Sequence, residues 1–227
     1  ASFERQEAEI KLGIEVVEKW KPDLILLDGS LVPSQLETIN KNSLIYEDYK
    51  TLIQRYKTLL EISENILLAG VIKDSRGRRF CDEILRKFKI PKEFIPVLQI
   101  TRDTNLLFHL LKIGERTQTF SYSSLPHIHP ILKDFGKFGK EIYGFYLRTA
   151  EFDRPIRVDF HSKQPDEDAD RISSILLAIS GQHPGYGIPS ILIEADQRAR
   201  IKDTMIDVIY QDILLSLIHI SEPTRLG

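Results

Sequence analysis

Asp28 is the residue best placed to do chemistry. It closes the apolar run Leu24-Ile-Leu-Leu27, and Gly29-Ser30 follows at once. Four apolar residues bounded by a glycine turn read as a buried strand, which puts a carboxylate at its carboxyl end, where open α/β sheets carry their functional groups. Carboxylate oxygens in such a place suit a hard divalent cation. Asp-Gly is also ordinary turn chemistry, so both readings stand. A second apolar run, from Ile66 to Ile72, ends the same way in Lys73-Asp74 and leads into Ser75-Arg-Gly-Arg-Arg79. Arg76, Arg78 and Arg79, beside Lys73 and a candidate cation site, suit contacts to phosphate oxygens. The plainer alternative is a solvated turn.

The elements that must position these groups follow from periodicity. Residues 3–20 form an amphipathic helix with Ile10, Ile14 and Val17 on one face, closed by Pro22. A strand over 24–28, a loop through Pro33, a long helix over 45–64 and a strand over 66–72 make a crossover unit, for which a mainly parallel sheet is the natural expectation. A helix over 80–88 follows. Another, over 103–113, begins at the capping pair Asp103-Thr104 and ends at Gly114, so Asp103 reads as a cap. Residues 141–161 alternate as two antiparallel strands with one wet face about the turn at Asp153-Arg-Pro155. Arg148, Arg157 and Asp159 lie on them, with cross-strand ion pairing as the simple account. Acidic residues from Asp166 to Asp170 open a helix to about Ile179.

Several segments, taken in order, resemble the NurA family of archaeal and bacterial DNA-end nucleases. They are Leu27-Asp-Gly-Ser-Leu31, Gly70-Val-Ile-Lys-Asp-Ser-Arg76, Asp103-Thr-Asn-Leu-Leu107 with Gly114-Glu-Arg-Thr117, Phe145-Tyr-Leu-Arg148 with Pro155-Ile-Arg-Val-Asp159, and Tyr186-Gly-Ile-Pro189 running into Ile193-Glu-Ala-Asp-Gln-Arg-Ala-Arg-Ile201. The resemblance covers roughly residues 1–213. It implies an α/β, RNase H-like mixed sheet flanked by helices, a divalent cation (Mn2+, or Mg2+), a homodimer with a central DNA channel, and the hexameric ATPase HerA as partner. The activity implied is 5′–3′ exonuclease and single-strand endonuclease cleavage in the resection of double-strand breaks.

Phosphodiester hydrolysis needs a deprotonated water and neutralisation of the leaving oxygen, and paired hard cations about 4 Å apart serve both needs. The resemblance makes Asp28 one ligand and sets a second, a glutamate, on the preceding helix; Glu9 is the better match and Glu7 the fallback. Tyr186 matches the family's active-site tyrosine, or else is a loop aromatic over the core. Asp196 stands where the family often has histidine; aspartate can bind metal but would repel phosphate. In the family Arg157 and Asp159 belong to the core sheet, which favours a structural role, with contact to the substrate left open.

Composition excludes more than it selects. With 31 basic and 33 acidic residues the formal charge is −2, so DNA contact must come from local patches. Cys81 is the only cysteine, which rules out an internal disulfide or a multi-cysteine zinc site. No apolar run reaches the roughly 20 residues of a membrane helix, and a cytoplasmic protein is expected. The chain opens in mid-helix, and the resemblance implies a further strand and aspartate upstream. The tail over 214–227 resembles translated adapter sequence and is set aside, His219 with it. Two rival classes remain: a DNA-channel or docking subunit without catalysis, and an α/β phosphohydrolase of small phosphate esters. The latter usually continues Asp-x-Asp after the strand, and Asp28-Gly-Ser30 does not.

Overall fold

The two apolar runs are strands, β1 (Leu24–Asp28) and β2 (Leu67–Ile72), and the helical stripes on either side of β1 are α1 (Ser2–Trp20) and α2 (Tyr46–Ile62). The computed structural model describes residues 2–33, 44–201 and 203–221. They fall into two units, Ala1–Ser190 and Ile191–Gly227.

In the first unit the order continues with α3 (Arg79–Lys87), a 3₁₀ turn (Lys92–Phe94), α4 (Ile95–Ile100) and α5 (Asp103–Leu110). Then come β3 (Phe120–Ser121), a kinked 3₁₀ segment (Leu132–Lys140), β4 (Ile142–Leu147), β5 (Ile156–His161) and α6 (Pro165–Ala178). The strands form one sheet in the order β1-β2-β5-β4-β3. The architecture is a mixed α/β sheet flanked by helices, consistent with an RNase H-like arrangement.

Only β1 and β2 run parallel; β2 pairs with β5, β5 with β4 and β4 with β3 in antiparallel fashion. The expected mainly parallel sheet is therefore corrected to a mixed one. A strand buried on both faces reads as the same apolar run whichever way its neighbour points, so β2 gave no sign of its antiparallel partner.

The core lies between the sheet and α1 and α2. Ile10 and Val17 of α1, Leu52, Tyr56, Leu59 and Leu60 of α2, and Ile25 and Leu68 of the sheet share one buried cluster with Phe135 and Phe138. Each such apolar side chain contributes on the order of 1.5–3 kcal/mol. On the other side α6 packs on β2 and β4, burying Ala169, Ile172 and Leu176. Lys21, with φ at 45°, turns the chain after α1, its amide still bonded to the Val17 carbonyl, so the helix closes ahead of Pro22.

The 103–113 helix is shorter than periodicity suggests, ending at Leu110. Arg148 explains the stop, because its guanidinium donates to the Phe108 and Leu111 carbonyls at 2.8 and 2.6 Å. It takes up the last acceptors of α5 rather than pairing across strands. Gly114, at φ 86°, belongs to the following turn.

The second unit holds α8 (Asp203–Ser221) and all but the first residue of α7 (Ser190–Ala199). α8 continues through residue 214 without a break; residues 222–227 of the tail lie outside the described residues.

Candidate functional site

Asp28 stands at the carboxyl end of β1, level with Val71 of β2. Two residues further on, Lys73 shares the Val71 face, and its ammonium lies 3.2 Å from Asp28 Oδ2. The side chains are 52% and 32% exposed, so the pair is worth about 0–1 kcal/mol and can open for a ligand at little cost. Asp74 next along faces Arg102 at 3.4 Å and Arg154 at 3.8 Å. Carboxylates and cations thus meet at the carboxyl edge of the two parallel strands, where a phosphate would find ammonium and guanidinium donors.

The turn after Asp28 is fixed from three directions. Gly29 has φ at 131°, a left-handed conformation that L side chains resist, and its amide donates to the Val71 carbonyl at 3.0 Å. The turn lies directly on Gly70, since a Cβ added there would sit 2.2 Å from the Gly29 carbonyl oxygen. Ser30 then donates its hydroxyl to Asp159 Oδ2 at 2.6 Å and accepts the Val32 amide at 3.0 Å.

Asp159 is level with Gly70 in the sheet and fully buried. An unpaired carboxylate could not remain charged in such a place, and Arg157 answers it, Nε to Oδ1, at 2.8 Å. Burial works against the guanidinium, but the carboxylate of Asp159 and the nearby Tyr146 and Tyr122 outweigh it and hold Arg157 above its ordinary pKa. Its planar group also lies over the Tyr122 and Phe120 rings at 5.1 and 5.8 Å.

Asp103 is a cap, but not of its own helix. It occupies the first turn of α5 without a capping bond there; Oδ1 accepts the Cys81 amide in the first turn of α3 at 3.0 Å. Oδ2 accepts the Tyr146 hydroxyl at 3.1 Å. Burial, with Asp103 adding to it against the opposing effect of Arg157, pushes Tyr146 up to about 12. Burial first, and then Asp103, likewise pushes the Cys81 thiol up to about 11.

Of the arginine loop, Arg78 bonds Asp82 and the Leu98 carbonyl, both at 3.1 Å. Arg79 donates to the Ser121 carbonyl at 2.8 Å and stacks on Phe120. These two fasten α3 to its surroundings. Arg76 is exposed, and no described residue pairs with it.

A family model described as the NurA domain matches residues 1–201. The chain belongs to the NurA family. Its function is accordingly nuclease-related. No curated protein and no solved structure matches it.

The NurA resemblance also picks out Glu7, Glu9, Tyr186 and Asp196. Glu7 pairs with Arg55 of α2 at 2.7 Å, and Glu9 with Arg5 one helical turn back at 3.5 Å; Asp28 takes its ion pair from Lys73 instead. Tyr186 is 46% exposed, and its amide closes a turn onto the His183 carbonyl. Asp196 lies exposed on α7 in the second unit, its carbonyl accepting the Arg200 amide.

Among the described residues no three His, Cys, Asp or Glu side chains come together in a way that could hold a metal ion. Among the described residues, then, the donor set that manganese or magnesium would need is not assembled around Asp28. Among the links the sequence did not signal is Ser30 to Asp159, because 129 residues separate them. The serine of Asp28-Gly-Ser30 was its only trace.

Proposed function

We propose that this NurA-family chain is a deoxyribonuclease that trims DNA ends, as a 5′–3′ exonuclease and single-strand endonuclease, in double-strand-break resection. In this reading it is a cytoplasmic homodimer that depends on manganese or magnesium and is fed by a HerA-type hexameric ATPase. The observation that supports it best is the Asp28 carboxylate, half exposed at the carboxyl end of β1 with Lys73 at 3.2 Å. The Lys73 ammonium offers three donors to a phosphate oxygen. Arg76, exposed one turn further on, would hold the backbone of the strand by charge alone. Asp28 supplies the carboxylate that orients or deprotonates the reacting water.

The near-neutral charge of the chain fits a partner that delivers DNA, since a motor threading DNA through a channel replaces intrinsic affinity. The test is degradation of end-labelled linear duplex with the HerA-type partner and ATP present or omitted, together with the mass of the protein in solution. ATP-stimulated loss of label by a dimer supports the reading. A monomer whose cleavage is indifferent to partner and ATP contradicts the HerA-fed part of it.

A second reading has its own support: a DNA-channel or docking subunit without catalysis. Two observations favour it, the absence of a three-donor metal group among the described residues and Asp196 at the family's histidine position. It predicts DNA binding and stimulation of the partner's ATPase with no cleavage in manganese or magnesium.

A further inference from the structure

A fully buried, paired charge lies next to the turn that follows Asp28. Asp159 is 0% exposed, yet it keeps a carboxylate on the central strand β5. Arg157 occupies Oδ1 and leaves Oδ2 for Ser30. Burying such a pair is costly in itself, and apolar residues of the same volume often serve stability as well. Stability alone therefore does not account for it.

What the pair does hold is the turn that follows Asp28. Three neighbours converge on Gly29-Ser30: the Val71 carbonyl on the Gly29 amide, the bare Cα of Gly70 beneath the Gly29 carbonyl, and the Asp159 carboxylate on the Ser30 hydroxyl. The first, a hydrogen bond, and the second, a backbone close approach, seat the turn on β2. The third, a short and directional side-chain bond at 2.6 Å, ties it to β5. The same hydroxyl accepts the Val32 amide, so one oxygen links the carboxylate to the backbone on the far side of the turn. A catalytic group must be held within about half an ångström of its productive place by such supporting bonds.

We propose that Asp159 is a positioning residue for Asp28, acting through the Ser30 hydroxyl, with Arg157 holding the other oxygen of its carboxylate. The inference rests on the nuclease reading of Asp28. It assigns Asp159 no contact with DNA or with the reacting atoms.

The test uses the full chain with linear DNA in manganese. Ser30→Ala should lower kcat at least tenfold with KM for DNA within twofold of wild type and with an unchanged melting temperature. Ser30→Thr, which keeps the hydroxyl, should recover kcat to within threefold. Amide exchange over residues 28–32, followed by mass spectrometry without DNA or metal, should accelerate at least tenfold in Ser30→Ala and not in Ser30→Thr. In a background of Asp159→Leu with Arg157→Met, which removes the buried pair together, Ser30→Ala should change kcat less than twofold further. A tenfold effect persisting in that background would overturn the claim that Ser30 acts with Asp159. Asp28→Asn, run alongside, separates the two levels. If Asp28→Asn is inactive while Ser30→Ala cleaves at the wild-type rate with unaltered exchange, the positioning role fails and the nuclease reading stands. If Asp28→Asn cleaves at the wild-type rate, both fail.

Discussion

Gly70→Ala should be among the most damaging single-methyl additions in the sheet. The added Cβ would lie 2.2 Å from the Gly29 carbonyl oxygen and 3.0 Å from the Leu31 amide nitrogen, where ordinary contact begins at 3.4 Å. Both obstacles are backbone, so no rotamer change can relieve them, and the turn must rise from β2 by more than 1 Å. Overpacking of this kind costs about 1–3 kcal/mol. Lifting the turn also stretches the Gly29 amide bond to Val71, now 3.0 Å, worth about 0.5–1.5 kcal/mol more. The expected loss is about 2–4 kcal/mol, a fall in melting temperature of roughly 5–15 °C for a domain of this size. The flanking residues offer no such conflict, since Ala69 already carries a Cβ and is fully buried. Denaturant and thermal unfolding measure the loss, with DNA cleavage followed in parallel. A Gly70→Ala protein as stable as wild type would refute the close approach and, with it, the account of what fixes the Asp28 turn.

Arg76→Ala should weaken DNA binding and reduce the slope of log affinity against log salt by about 0.9, one phosphate contact. Arg79→Ala should leave that slope alone and lower thermal stability, because its guanidinium is committed to Ser121 and Phe120; equal slopes for both variants would contradict the distinction. Cys81 titrates near 11 in the fold against an ordinary 9, so the folded state binds its proton more tightly. Its contribution is complete below about pH 9 and is lost as pH rises toward about 11. Urea midpoints followed across that interval should fall less steeply in Cys81→Ala than in wild type, and parallel profiles would show that the thiol is not responsible.

How much of this was legible depended on how far apart the partners lie in sequence. The strand ending at Asp28 could be read directly, because its apolar run and its glycine stop are contiguous. So could the antiparallel pair β4 and β5, from the turn at Asp153-Arg-Pro155 between them, although both strands are buried along nearly their whole length and neither has the wet face expected. The pairing of β2 with β5 could not, since Leu67–Ile72 is buried along nearly its whole length and carries no record of strand direction. Asp103 illustrates a subtler limit. A capping residue type was recognisable, but the helix it caps begins 24 residues earlier at Arg79. Ser30 and Asp159 show the same limit at greater range, each unremarkable alone. In the arginine loop, sequence gave three equivalent cations; tertiary contacts with Ser121 and Leu98 commit two of them and leave Arg76.

In the nuclease reading Asp28 is a working carboxylate and not turn chemistry. Asp28→Asn keeps the size of the side chain and its place beside Lys73 while removing the charge. Cleavage of end-labelled DNA in manganese should fall by at least a hundredfold in this variant, with the dissociation constant for the same DNA within about threefold of wild type. Cleavage at the wild-type rate, with binding equally intact, would show that Asp28 only shapes the turn and that the catalytic edge has been placed wrongly.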